Sequence, residues 1–171
     1  MNKVSMYENS VPVFINMLKN LKSILKKGIK FAKTKNIDET VLINSRLAPD
    51  MFPLSRQVQI ATDIARRGAA RLADMKIDTV NDDEKSMSDL VNRIDNTIKF
   101  LQSIKPEQME ASGKKIFEIK AGGRELNLTG RKMLFYFSYP NLFFHITTAY
   151  NILRHNGVNL GKIDYLGNIK K

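Results

Sequence analysis

Apolar side chains recur at spacings of three and four residues along most of this chain, and that helical period limits the folds open to it. Between residues 11 and 36, one side of the predicted helix is apolar and the opposite side carries lysines. The same period returns in three further stretches, which are about 50–73, 84–104 and 130–156. We therefore expect a mainly all-α fold in which four long helices bury their apolar sides against one another.

Residues that start, stop or crowd helices mark the limits of these segments. The predicted N-caps of successive helices are Ser10, Asp38, Asp50 and the run Asn81–Asp83. The helix after Asp38 is short and reaches about Ser45. Pro140 is expected to kink or break the last helix, and Gly157 to end it. Gly28 lies on the apolar side of the first helix, where it is expected to let another helix approach closely.

Between Lys114 and Leu128 the apolar period shortens from about 3.6 residues to about 2, which is typical of strands. Ala121, Gly122 and Gly123 supply turn residues between the two halves of this segment. We therefore expect a small β-hairpin just before the last helix. Two strands alone are marginally stable, so the hairpin has to pack against the helices.

The length of the chain and its lack of cysteine narrow both its organisation and its chemistry. With 171 residues it is close to the usual size of one domain, so residues 1–171 are expected to form a single domain around one core. The absence of cysteine excludes disulfides, thiolate metal sites and cysteine nucleophiles. His145 and His155 are then the two imidazole groups available as ligands or general bases.

Two segments bear on whether the protein meets a membrane. Residues 1–10 contain no apolar signal core, so we expect the protein in the cytoplasm. The segment Met133–Leu153 has no formal charge and is about as long as a bilayer-spanning helix. Its polar residues, Ser138, Asn141 and Thr147 among them, would be costly in lipid. We interpret it as a buried central helix and expect no membrane contact.

The net charge of +11, from 28 basic and 17 acidic residues, raises the question of nucleic-acid binding. The excess is dispersed over the first helix, the hairpin and the C-terminal tail, and no recognition helix or aromatic-studded strand accompanies it. We expect weak nonspecific binding at low salt and no specific nucleic-acid partner.

On the last predicted helix, His145 is the residue best placed to carry chemistry. Asn141 and Thr148 lie within about 60° of it around the helix axis, so these polar side chains share the inward side. A polar group inside an apolar bundle has to be hydrogen-bonded. Two interpretations stay open, a core histidine satisfied by its neighbours or a ligand-binding or catalytic histidine. His155, close to the helix end, is expected to be exposed.

These residues also carry a family resemblance. The pattern formed by Asn141-Leu-Phe-Phe-His145, Arg154 and Gly157 is similar to the last helix of the DinB/YfiT-like superfamily. The chain resembles more closely an uncharacterised bacterial family in that superfamily, through Ser5-Met-Tyr7, Val11-Pro-Val-Phe14, Arg46–Leu54, Arg56–Ile60 and His145–Gly157. The resemblance implies an up-down four-helix bundle with a long crossover, often dimeric and of unassigned activity.

Only part of the metal site of that superfamily is present in this sequence. Members that bind a divalent metal use one histidine on the second helix and two, spaced by four, on the last. His145 matches the later of that pair, Asn141 stands in place of the earlier one, and residues 50–73 contain no histidine. The possible substitutes on the second helix are Gln57, Gln59 and Asp63. Because an amide is a poor ligand for zinc or nickel, we expect no cofactor.

Aromatic residues are crowded on the last helix and cover more than one of its sides. They are Phe135, Tyr136, Phe137, Tyr139, Phe143, Phe144 and Tyr150. Because a helix that is apolar nearly all round needs cover on several sides, part of this set is expected to meet a second subunit or to line a cavity. We therefore expect a homodimer.

The leading hypothesis is a homodimeric helical bundle with an incomplete metal triad that is non-catalytic or binds a small molecule. Its polar pocket would comprise His145, Asn141, Thr148, Gln59 and Asp63. The alternative is a divalent-metal-dependent hydrolase or thiol transferase of the DinB type, with zinc or nickel held by His145 and non-histidine ligands. A third reading is a scaffold whose polar groups only satisfy one another.

Overall fold

Four long helices form the body of the protein, as their apolar periods predict. The computed structural model describes residues 5–121 and 123–167. The helices are α1 (Val11–Lys35), α2 (Glu39–Asn44), α3 (Leu54–Leu72), α4 (Met87–Ser103), α5 (Gly130–Lys132), α6 (Tyr139–His155) and α7 (Lys162–Leu166). A 3₁₀ turn, Pro106–Met109, follows α4, and a π-helical turn, Met133–Ser138, joins α5 to α6.

The core lies between the four long helices. α3 packs against both α4 and α6, and α1 packs against the other sides of α4 and α6. Fully buried side chains from all four helices meet there, with Phe14, Leu54, Leu90 and Ile146 as examples. Each helix thus buries the apolar side that its sequence period defines.

α3 and α4 run in the same direction, which requires a long connection between them. Arg93 on α4 donates to Thr62 on α3, and further along both helices Arg66 of α3 lies over the ring of Phe100 of α4. The segment 73–86 therefore has to return along the bundle before α4 can begin, and it forms the expected long crossover. The chain thus has the DinB-like helical fold, with its hairpin before the last helix.

The β-hairpin also forms where the change of period predicts it. β1 (Ile116–Ala121) pairs antiparallel with β2 (Arg124–Thr129), in a register that places Phe117 opposite Leu128 and Ile119 opposite Leu126. Ile119 is buried, so the hairpin is held by contact with the helices. Of the predicted turn residues, Gly123 has a φ of 73°, and Gly122 lies outside the described residues.

Two of the predicted helix starts are wrong. α3 begins at Leu54, after Pro53 in an extended conformation, and not at Asp50. α4 begins at Met87, where Ser86 and Asp89 form a capping box, and not at the run Asn81–Asp83. The prediction for α2 is confirmed, since the Asp38 side chain accepts from the Thr40 amide. Ser10 precedes α1 as expected, but its hydroxyl donates to the Met6 carbonyl and caps no amide.

Pro140 neither breaks nor ends the last helical segment, which continues from Gly130 to His155. The π-helical turn lies directly before it, and the Tyr139 amide donates to the Leu134 carbonyl five residues back. Because of this wider turn, the missing amide hydrogen of Pro140 does not interrupt the helical segment. Gly157, with a φ of 92°, follows the end of α6 as predicted.

No helix among the described residues combines the length and apolar character needed to cross a bilayer. The uncharged segment Met133–Leu153 belongs to the bundle, where Leu134, Leu142 and Ile146 are fully buried. Asn141, His145, Thr147 and Thr148 of this segment hydrogen-bond within the protein.

Two glycines sit where a side chain has little or no space. A Cβ atom on Gly28 would lie 2.7 Å from the flexible end of Met87, which confirms that α1 and α4 approach closely there. A Cβ atom on Gly130 would lie 2.1 Å from the Ser112 carbonyl oxygen, and a backbone group cannot rotate away. Gly130 therefore fixes how the hairpin enters the last helix.

We expect Gly130→Ala to lower the free energy of unfolding by at least about 2 kcal/mol, because the new methyl group forces the Ser112 backbone to move. Gly161→Ala is the matched control, since nothing lies within 4 Å of its added Cβ, and it should change stability by less than about 1 kcal/mol. Urea unfolding followed by circular dichroism measures both. Equal stabilities for the two variants would contradict this account of Gly130.

Candidate functional site

The centre of the candidate site is a hydrogen-bonded pair that joins α3 to α6. Nδ1 of His145 lies 2.7 Å from Oε1 of Gln57, and the Gln57 Nε2 group donates to the Phe52 carbonyl at 2.9 Å. Gln57 is 1% exposed and His145 is 8% exposed. His145 thus points inward, as its position on the helix predicts, and its partner comes from the second long helix.

The Phe52 carbonyl fixes the tautomer of His145. A carbonyl accepts only from the NH₂ end of the Gln57 amide, so the Gln57 oxygen has to face the imidazole. That oxygen can only accept, which places the proton of a neutral imidazole on Nδ1. The lone pair of the ring is therefore on Nε2, which forms no hydrogen bond with any residue that the structure describes.

Two effects keep this imidazole neutral. Burial lowers the pKa of His145 below its ordinary value of 6.5, and the positive charge of Arg56 lowers it further. At neutral pH the side chain therefore presents an uncharged Nε2 acceptor. Such a group can accept a hydrogen bond, act as a base or bind a metal ion.

Aromatic rings frame the same region. The ring of Phe144 meets the imidazole of His145 edge to face, with the centroids 5.2 Å apart, and Phe144 is 56% exposed. The guanidinium of Arg56 lies over the exposed ring of Phe52 at 5.9 Å. The polar pair is therefore bordered by apolar surface that solvent can reach, which is usual for small-molecule sites.

Asn141 and Thr148 make local contacts on α6 and do not complete a cluster with His145. Asn141 Nδ2 donates to the Phe137 carbonyl at 2.7 Å, and the Thr148 hydroxyl donates to the Phe144 carbonyl at 2.8 Å. Thr148 is buried, whereas Asn141 is half-buried. The structure thus places both on the predicted side of the helix, each with a donor bound to the backbone of its own helical segment.

A second polar cluster, centred on Arg93 of α4, holds a buried charge between α3 and the crossover. Arg93 has only 4% of its side chain exposed. Its guanidinium contacts the carboxylates of Asp63 at 2.9 Å, Glu84 at 2.8 Å and Asp82 at 3.1 Å, and its Nε donates to Thr62. We call these residues the Arg93 cluster.

Gln59 and Asp63, predicted as part of the His145 pocket, lie with the Arg93 cluster instead. Gln59 Nε2 donates to Glu84 at 2.7 Å, and the Gln59 oxygen accepts from Arg56 at 3.3 Å. Both side chains face the crossover segment, on the side of α3 that contacts α4. The structure therefore brings Gln57, and neither Gln59 nor Asp63, to His145.

The residues around His145 do not fit the three-histidine metal site of the superfamily. Gln57 Oε1 is engaged with the imidazole, and Asn141 offers an amide bound to its own helix. No group of three or more His, Cys, Asp or Glu side chains that could hold a metal ion occurs within residues 5–121 and 123–167. The donor set that would hold zinc or nickel is incomplete here.

Sequence reasoning did not identify Arg56 or Arg93 as parts of these sites. Arg56 acts on His145 from another helix, so no spacing along the chain could reveal it. Arg93 gave a readable signal, because it lies among Leu90, Ile94 and Thr97 on the buried side of α4. A cation at helical spacing within an apolar stripe indicates a buried ion pair.

Comparison with known proteins finds a matching family and a similar solved structure. A family described as "Domain of unknown function (DUF1993)" matches residues 6–166. The crystal structure of a DinB family member protein from Shewanella denitrificans is similar, with a TM-score of 0.88 and 42% sequence identity over 96% of this chain and 93% of that chain. No curated protein matches the chain.

We expect the free energy of unfolding to fall as the pH drops below about 6.5. The folded protein lowers the pKa of His145, so near that pH the unfolded chain binds more protons and acid favours it. Replacing His145→Gln should reduce the slope of stability against pH between about 5 and 7, whereas His155→Gln should leave the His145 contribution in place. Urea unfolding at several pH values measures this slope. An unchanged slope in His145→Gln would contradict the assignment.

Removing the cation of the Arg93 cluster should be strongly destabilising. Arg93→Met removes the cation beside Glu84, whose side chain is 8% exposed, and one of the two arginine partners of Asp63 and of Asp82, so we expect a loss of about 3 kcal/mol. Arg154→Met, an exposed position on α6, should change stability by no more than about 0.5 kcal/mol. Thermal and urea unfolding measure both variants. A loss under about 1 kcal/mol for Arg93→Met would show that the cluster does not hold the crossover.

Proposed function

The chain belongs to the DUF1993 family, whose domain has no established function, and on that basis we propose that this protein binds a small molecule at His145 and does not act through a bound metal. The observation that carries the proposal is the unpartnered Nε2 acceptor of His145, set by Gln57 and Phe52. A scaffold whose polar groups only satisfy one another would leave no such acceptor beside exposed aromatic surface.

The surroundings of Nε2 define the chemistry of the ligand. Because the imidazole is neutral at pH 7, Nε2 of His145 accepts a hydrogen bond, and the ligand has to carry a hydroxyl or N–H donor. The exposed ring of Phe144, in contact with the imidazole, offers an apolar surface for the body of the ligand. A small molecule that combines one donor with an apolar ring or chain meets both requirements.

Phenol is a suitable probe, and toluene, which lacks the hydroxyl, is its matched control. We expect phenol to shift the ¹⁵N resonance of His145 Nε2 in a saturable way, because its hydroxyl donates to that atom, and toluene to leave the resonance unchanged. Long-range ¹H–¹⁵N correlation spectra measure the effect, with His155 as an internal reference. A phenol titration that leaves the Nε2 resonance unmoved would refute binding at this atom.

The metal-dependent alternative is tested on protein purified without an affinity tag. Elemental analysis of the wild-type protein, His145→Ala and His155→Ala compares their zinc and nickel contents. We expect no stoichiometric metal in any of the three, because the donor set is incomplete. Near-stoichiometric metal that is lost only in His145→Ala would overturn the proposal and favour a hydrolase or transferase.

We also propose that the protein is a cytoplasmic, one-domain homodimer. Tyr136, on the last helical segment, is 78% exposed and supplies apolar surface for a second copy. Native mass spectrometry and light scattering of the full chain should give twice the monomer mass, and Tyr136→Lys should give the monomer. A wild-type monomer at working concentrations would contradict this part of the proposal.

A further inference from the structure

A cleft of about 220 Å³ lies between α3, β1 and the π-helical turn. Its basic lining side chains are Arg56, Arg67, Arg71 and Lys120. Arg56 belongs to the region around His145 as well, but neither His145 nor Gln57 lines the cleft, which extends along α3 as far as Arg71. Three arginines and a lysine around one small cleft indicate an anionic ligand.

The single acidic residue that lines this cleft does not neutralise it. The two carboxylate oxygens of Asp63 are engaged by Arg93 at 2.9 Å and by Arg67 at 3.0 Å. Arg56 is paired with Asp82, and Lys120 is paired with Glu125 at 3.0 Å on the exposed hairpin. Arg71 is left as the lining cation that pairs with no carboxylate of residues 5–121 and 123–167.

Arg71 is half-buried, and its surroundings disfavour its charge. Burial lowers the pKa of Arg71 below its ordinary range, and the positive charge of Arg67 lowers it further. No carboxylate within the described part of the chain opposes these two effects. An anion in the cleft would favour the charged form of this half-buried arginine.

The cleft also has apolar walls. Ile64, Ile119 and Phe137 line the cleft, and Gly68 lies at its edge, where a Cβ atom would come within 3.2 Å of the Ser138 hydroxyl oxygen. Phe137 and Ser138 are the last two residues of the π-helical turn, a rare feature that is frequent at functional sites. An inorganic anion would leave these apolar walls unused.

We propose that this cleft binds a small organic carboxylate, with its charged end on Arg71 and Arg67 and its apolar body against Ile64, Ile119 and Phe137. The planar guanidinium groups match a carboxylate and can donate two parallel hydrogen bonds to it. The volume is below that of a site for a drug-sized molecule, so the acid is small.

Benzoate is the probe, and benzamide, which has nearly the same shape without the charge, is its control. We expect saturable shifts of the Arg71 side-chain and Gly68 amide resonances with benzoate in ¹H–¹⁵N spectra of the full chain. Benzamide and inorganic phosphate should bind at least about tenfold more weakly, because the first lacks the charge and the second makes no apolar contact.

Arg71→Gln is the decisive variant, because Arg71 forms no ion pair with the residues that the structure describes and the variant should remain folded by circular dichroism. It should bind benzoate at least about tenfold more weakly, whereas Arg154→Gln on α6 should bind it as the wild type does. The proposal is overturned if benzoate does not saturate, if Arg71→Gln binds it equally well, or if phosphate binds as tightly as benzoate, which would indicate a general anion site. These results are independent of phenol binding at His145.

Discussion

The burial of α3 between α4 and α6 is the constraint on which the rest of the structure depends. A helix packed on two sides has to satisfy every polar side chain that it turns inward, and α3 carries several of them. Gln57 faces α6 and meets His145, whereas Asp63 faces α4 and meets Arg93. The free side of α3 then supplies Arg67 and Arg71 to the cleft under the hairpin. One helix thus sets the chemistry of three regions.

In the His145 region, hydrogen bonds decide which ring nitrogen of the imidazole is free to accept a proton or a ligand donor. The Phe52 carbonyl orients the Gln57 amide, and the amide in turn fixes which ring nitrogen of His145 holds the proton. Burial and the charge of Arg56 then keep the ring neutral by lowering its pKa. The outcome is a fixed acceptor on a largely buried imidazole, beside the exposed ring of Phe144.

The arrangement of charge explains why a net charge of +11 is compatible with a stable bundle. The most deeply buried cation, Arg93, is balanced by Asp63, Asp82 and Glu84, so its desolvation is offset by close contacts. Lysines on α1 lie on the exposed side of that helix, where water screens them. Arg71 departs from this pattern, and its charge is the basis of the second proposed binding site.

The sequence by itself determined the helices, the hairpin and the side of α6 on which His145 lies. These features follow from local period and turn chemistry, which neighbouring residues carry: the 3.6-residue repeat of α1, the shorter repeat of β1 and β2, and Gly157 after α6. The resemblance to DinB-like proteins added the way in which the helices are connected. Most of the fold could therefore be predicted without coordinates.

Only the tertiary structure decided which polar residues meet. Gln57, Gln59 and Asp63 lie on one helix within two turns, and a small rotation of α3 decides which of them faces His145. Close packing of α3 against α6 and the π-helical turn, where Gly68 lies beside Ser138, sets that rotation. The ion pair between Arg93 and Asp63 also holds it. The start of α4 at Met87 differs from the predicted one for a related reason, because Asp82 pairs with Arg93 and caps no helix.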